Sequence, residues 1–170
     1  MFELGRLLGL KTWFCELGAI RVYGRGSEVE IDHGAHPGPG SSVMGALLPA
    51  FTGLVKAFPA KLEEHTPWNE NREISLLARG SVDLMVVRTW LDEHGFDWAD
   101  LIDNGVIPRR YESLPGVDRV HAYHLAPRGV SKREAIAADR KRRGLDASEC
   151  AMVGDAAADL ACHSEVGRCF

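Results

Sequence analysis

Lys132, Asp155 and Asp159 have the types and spacing to hold an anion and a hard cation. Ser131 followed three residues later by Glu134 has the form of a capping box, and Gly144 suits the position just past a helix end, so the spacing predicts a helix over 132–143. Lys132 and Arg133 then fall in its first turn, where cations oppose the partial positive charge of a helix N-terminus. A bound anion would remove that conflict. Side chains that simply point into water would also avoid most of it. Ala151-Met152-Val153 is a short apolar run of the buried parallel-strand kind, and Asp155 follows one glycine after it, where ligands bind in open α/β sheets. A helix starting at Ala156 would put Asp155 and Asp159 on one side of its first turn. Magnesium prefers such a donor set, one or two carboxylates with water and phosphate oxygens completing the shell. The alternative makes Asp155 an N-cap and Asp159 an acid favoured by the helix dipole.

The elements that must position these residues read as a strand over 120–125, a Pro-Arg-Gly turn, the helix over 132–143, a strand over 150–153, and a turn into a last helix. That order predicts a βαβ unit whose loop ends carry the chemistry.

Gly129-Val130-Ser131-Lys132, then Gly144-Leu145, then Val153-Gly154-Asp155 with Asp159 resemble the third and fourth motifs of the haloacid dehalogenase superfamily. The resemblance is to its phosphatase branch with a large α/β (C2-type) cap, of the Cof-like and mannosyl-3-phosphoglycerate phosphatase kind. Phe14-Cys15-Glu16-Leu17-Gly18-Ala19-Ile20 is similar to the E-N-G-A-x-I segment that leads into the cap there. The resemblance implies an α/β fold, with a partial Rossmannoid core at 1–36 and 119–170 and an inserted α+β cap domain at 37–118. It implies that Lys132 steadies the transferring phosphoryl group and that Asp155 and Asp159 hold Mg2+. It also implies a small phosphorylated metabolite as substrate.

The chain departs from the pattern in places. Gly154-Asp155-Ala156-Ala157-Ala158-Asp159 stands where G-D-S-x-N-D is frequent, and Leu17 where Asn is common. The family's nucleophile is the first Asp of a D-x-D, and no two aspartates of this chain are two apart, so no nucleophile is assigned. With the end at Phe170, this leads to the expectation of a phosphatase lacking both ends of its core and inactive as this chain alone. A complementing chain or a second copy is the partner that such a core would need. The other reading is a non-catalytic ligand-binding or partner-complemented module.

The 170 residues suffice for one domain or one domain plus part of another, and 45% hydrophobic with 26% charged residues is ordinary for a globular protein. A net charge of −4 gives no electrostatic case for nucleic acid. The basic run Arg140-Lys141-Arg142-Arg143 closes a helix, where cations favour the dipole, and reads as a solvated helix end. Four cysteines without a C-x-x-C, and an opening without a signal-peptide pattern, predict reduced thiols and a cytoplasmic location. No apolar run is as long as a membrane span. His33 and His36, and His121 and His124, are each three apart; the second pair would face opposite sides of a strand and the first sits in Gly/Pro-rich sequence, which argues against zinc.

Taken in order, residues 2–10 show a short amphipathic pattern, and 13–23 a strand broken at Gly18 that pairs with 27–32. A breaker-rich loop at 34–40 leads to a helix capped by Ser41 or Ser42 and ending near Phe58. Strands are predicted over 61–65 and 73–78, then a helix capped by Ser81 and closed by Gly95. Asp103-Asn104-Gly105 between Leu101-Ile102 and Val106-Ile107 predicts a hairpin. In this part Trp68, Asn69, Arg72, Arg79, Arg109 and Arg110 are candidates for gripping a polar ligand, with Trp68 and Arg72 sharing one loop.

Overall fold

Gly18 and Gly24 bracket the buried strand at Ile20–Tyr23, and both take positive φ, so the backbone reverses at each. The computed structural model describes residues 2–38, 41–154 and 157–170. A short helix α1 (Phe2–Leu7) precedes three antiparallel strands paired in the order β1 (Trp13–Cys15), β2 (Ile20–Tyr23) and β3 (Glu28–Ile31). The strand predicted over 13–23 is thus two strands, because Glu16, Leu17 and Gly18 all have φ between 48° and 92° and cannot continue an extended chain. Ile20, Val22 and Tyr23 of β2 are buried, whereas Leu4, Leu7 and Leu8 around α1 are mostly exposed.

The largest aliphatic side chains collect in the middle of the sequence. Ser42 caps α2 (Val43–Ala57) by accepting from the Gly45 N–H at 3.3 Å, and the helix ends at Phe58 as its spacing predicts. Then come β4 (Leu62–Glu64), β5 (Leu76–Gly80), α3 (Leu84–Glu93), β6 (Ala99–Ile107) and β7 (Val120–Pro127). The cap of α3 is Asp83, whose carboxylate accepts from the Met85 and Val86 N–H groups, rather than the Ser81 two residues earlier. The four strands form one antiparallel sheet ordered β4-β5-β7-β6. Helix α2 packs on β4, β5 and β7, and α3 on β6. Leu47, Leu54, Leu62, Leu91 and Leu125 are fully buried there.

The hairpin predicted around Asn104-Gly105 does not form. β6 runs through this stretch and pairs with β7 on both sides of a register shift between Asp103 and Val106. Gly105, at φ +100°, donates its N–H to Asp103 Oδ1 at 2.7 Å, which makes the segment a bulge. Two-residue flanks satisfy few backbone groups by folding on each other, whereas eight residues of β7 satisfy nearly all of them.

Helix α4 (Lys132–Arg143) follows, capped by Ser131 and ended by Gly144 in the left-handed conformation, as predicted. β8 (Ala151–Met152), α5 (Ala157–Leu160) and β9 (Arg168–Cys169) complete the chain, with β8 and β9 paired in parallel. The contacts divide the chain into a split unit, Met1–Gly34 with Gly129–Phe170, and an inserted unit, Ala35–Arg128. The second boundary therefore differs from the expected 118/119. The strand at 120–127 belongs to the inserted unit's sheet, and the βαβ unit anticipated for 120–153 is replaced by pairing of β7 with β5 and β6. A strand of this length has ladder groups on both edges, and two antiparallel neighbours satisfy them where the two-residue β8 could not.

Limited proteolysis is expected to leave a resistant fragment spanning about residues 35–128. A fragment ending at Val117 should be unfolded in circular dichroism, because it lacks the strand that joins β5 to β6. Folding of that shorter fragment would show β7 to be dispensable.

A pH dependence of stability is expected of the inserted unit. His65 Nδ1 is buried with no hydrogen-bond partner among the described residues, and burial, then the charge of Arg79, holds the ring below its ordinary value of 6.5. Between the two values the unfolded chain binds more protons, so stability falls as pH drops below 6.5. Thermal melts on either side of that pH should show the loss, and His65→Gln should flatten it.

Candidate functional site

Ser131 is extended, at φ −158° and ψ 159°, and its hydroxyl oxygen accepts from the Glu134 N–H at 3.1 Å. Lys132 is thereby fixed as the first helical residue, at the positive end of α4. Its ammonium donates to Asp159 Oδ1 at 2.7 Å. Asp159 lies in α5 with its side chain 12% exposed, against 41% for Lys132. The carboxylate supplies the negative charge that the sequence called for at this helix end, and it is internal. Gly154 makes its approach possible, since a Cβ there would lie 2.8 Å from Cγ and Oδ2 of Asp159.

The turn between β1 and β2 supports the same helix end. Gly18, at φ +92°, sits where a Cβ would overlap that of Ala135 and lie 3.2 Å from the Ser131 carbonyl oxygen. Arg21 holds this turn by donating from Nε to the Gly18 carbonyl at 3.2 Å while its Nη2 pairs with Asp32 at 2.6 Å. Sequence reasoning missed Arg21. Its signal is an arginine between the apolar Ile20 and Val22 of a short strand, with an acid just after the partner strand. Leu17 has φ 61° and ψ 14°, a left-handed conformation in which asparagine is several-fold enriched. That is a physical reason for the Asn in the pattern this turn resembles.

Cys162 is fully buried and its N–H donates to the Asp159 carbonyl at 2.9 Å. Burial, then the charge of Asp159, pushes its thiol up, against a smaller opposite effect of Lys132, so it stays protonated near neutral pH and is no substitute nucleophile. Asp155 lies outside the described residues. Among the described residues no group of three or more His, Cys, Asp and Glu side chains is placed to hold a metal ion. The buried carboxylate of Asp159 is itself a hard oxygen donor of the kind magnesium takes.

Trp68 is 63% exposed, and its N–H closes a turn onto the His65 carbonyl. Arg72 is committed to its own loop, donating to the Ser75 carbonyl at 2.9 Å and to Ser75 Oγ at 2.6 Å. Asn69 brackets Leu77 with two backbone hydrogen bonds, and Arg79 pairs with Glu63 at 2.6 Å beneath Tyr111. Of these candidates the exposed indole of Trp68 and the exposed Arg109 and Arg110 have the side-chain surface left to meet a ligand. His121 pairs with Asp103 at 2.7 Å and His124 Nδ1 lies 3.5 Å from Ser75 Oγ, on opposite faces of β7.

Comparison with solved structures bears on this arrangement. A haloacid dehalogenase-like hydrolase from Bacteroides thetaiotaomicron aligns with 97% of this chain at 11% identity and a TM-score of 0.57, over 68% of its own length. This chain has the haloacid dehalogenase-like fold. A protein of Thermoplasma acidophilum aligns with 99% of the chain at 18% identity and a TM-score of 0.61. The sucrose-phosphatase of Synechocystis, solved with sucrose and phosphate, aligns with 98% at 16% identity and a TM-score of 0.57. The chain spans 63% and 62% of the lengths of these last two proteins. No family model matches the sequence, and no curated protein does either.

Two substitutions test the turn that backs the site. Gly18→Ala should cost about 2 kcal/mol or more, from a backbone that disfavours a side chain and from overlap with Ala135. Leu17→Asn should leave stability unchanged or raise it by a few tenths of a kcal/mol, since Asn tolerates this conformation. Urea unfolding of the two variants measures both, and the opposite order would reject the role given to this turn.

Proposed function

We propose that this chain carries the lysine and the metal-binding acids of a magnesium-dependent phosphatase acting on a small phosphorylated metabolite. The observation that supports this reading best is the ammonium of Lys132 lying 2.7 Å from a carboxylate that is largely withdrawn from water, at a helix N-terminus in a haloacid dehalogenase-like fold. A phosphate arriving there meets a helix N-terminus and a cation already oriented by Asp159. Lys132 can move from the carboxylate to a phosphoryl oxygen, while Asp159, with Asp155, would hold Mg2+. The metal, when bound, would neutralise charge on the phosphoryl oxygens.

Attack on phosphorus needs a nucleophile, and the resemblance implies an aspartate of a D-x-D that the chain's sequence does not contain. Hydrolysis by this chain alone is therefore not expected. Sugar phosphates are the first substrates to try with any complemented form, because a sucrose-phosphatase shares the fold. The second reading, a module that binds phosphate without cleaving it, is favoured by the same missing D-x-D.

Calorimetry with inorganic phosphate and Mg2+ tests the site without requiring turnover. Phosphate is expected to bind in the presence of Mg2+, with Lys132→Ala weakening it tenfold or more, since a charged hydrogen bond contributes roughly 1.5–3 kcal/mol. Asp159→Asn should remove the dependence on Mg2+. Binding indifferent to both substitutions would overturn the assignment. Lys132-dependent turnover of an aryl phosphate by this chain would overturn the missing nucleophile.

A further inference from the structure

The basic run at the end of α4 is largely exposed, as expected, but its arginines are also paired. Arg142 pairs with Glu28 at 2.7 Å and Glu30 at 2.6 Å and lies 4.0 Å over the Tyr23 ring, while Arg143 pairs with Asp139 at 2.8 Å and donates to Thr12 Oγ1 at 3.0 Å. These contacts fold the helix end onto β2 and β3 and frame a cavity of about 500 Å³, whose wall also includes Lys11, Arg25, Tyr23 and Asp139.

From this cavity the geometry points to a second ligand site, for a small molecule that carries both a phosphate and hydroxyl groups. Arg142 and Arg143 have carboxylate partners, but the side chains of Lys11 and Arg25 have no ion-pair or hydrogen-bond partner among the described residues. Arg142 has two carboxylate partners, Glu28 and Glu30, so the wall and the carboxylates paired with it retain about one positive charge, which an anion would balance. Arg25 stands between two glycines at φ 61° and ψ 30°, a conformation that glycine or asparagine takes at lower cost. Its backbone N–H donates to the Lys11 carbonyl at 3.1 Å, which ties the backbones of these two residues together at the cavity. Turn geometry gives no reason for an arginine here, whereas the charge does. Tyr23 Oη and Asp139 Oδ1 are buried and lack hydrogen-bond partners among the described residues. One can donate to a ligand oxygen and the other can accept from a ligand hydroxyl. The volume suits a small metabolite better than an inorganic ion.

This site is separate from Lys132. Lys132 and Arg142 are at opposite ends of α4, about 15 Å apart at the helical rise. The inference does not rest on the function proposed above.

Amide NMR of the full chain without Mg2+ tests it, with glucose 6-phosphate, inorganic phosphate and glucose as probes. Glucose 6-phosphate should shift the Thr12, Gly24 and Arg25 resonances, inorganic phosphate should do so more weakly, and glucose should not. Arg25→Gly and Lys11→Ala should each weaken binding about tenfold. The first variant suits the turn's backbone, so its melting temperature should equal or exceed the parent's. Lys132→Ala should leave these shifts unchanged. Shifts that survive Arg25→Gly, or that sodium chloride reproduces at equal ionic strength, would overturn the site. Equal affinity for phosphate and glucose 6-phosphate would overturn the hydroxyl contacts.

Discussion

A carboxylate withdrawn from water needs a cation beside it, and in this protein Asp159 finds one in Lys132 at the positive end of a helix of the split unit. Lys132 alone, at 41% exposure, could be left to water at little cost. Asp159 could not, because its carboxylate is mostly shielded and a buried charge without a partner costs several kcal/mol. The pair therefore holds α4 and α5 together. The lack of a side chain at Gly154 lets the carboxyl approach, and the lack of one at Gly18 lets the first turn of the chain close against the same helix end.

The split unit sets β2 between two turns in which a non-glycine residue takes a left-handed conformation, Leu17 in one and Arg25 in the other. Such conformations persist only where surrounding structure compensates them. At Leu17 the compensation is visible, since Arg21 clamps the turn to Asp32 and the turn lies against α4. At Arg25 the backbone is tied to Lys11, and the charge faces a cavity. The two turns address opposite ends of one helix, one at Ser131 and Ala135 and the other near Arg142 and Arg143.

In the inserted unit, polar side chains that could have reached for a ligand mostly serve the fold. Asn69 and Arg72 order the 66–75 segment, and Arg79 is shared between Glu63 and Tyr111. Arginine has enough donors to do this and still line a surface, so its presence in a loop says little about ligands by itself.

The sequence by itself determined whatever depends on near neighbours. The cap at Ser131, the stop at Gly144 and the extents of α2 and α4 were legible because capping and left-handed termination are settled within a few residues. Lys132 and Asp159 were both named as site residues from their motifs, and the resemblance they carried implied the haloacid dehalogenase-like fold that the solved structures share. Their meeting at 2.7 Å was not legible, since it joins residues on two helices with a strand between them in the chain. Asp155, named with them, lies outside the described residues. Strand partnership was decided only by the tertiary structure. Residues 103–105 carry a hairpin signal and residues 120–125 a βαβ signal, yet β6 and β7 pair with each other, because backbone groups are satisfied by whichever partner covers the most of them. The same holds for Arg140–Arg143, whose helix-end position follows from sequence while the carboxylates and hydroxyl that receive Arg142 and Arg143 come mostly from far along the chain.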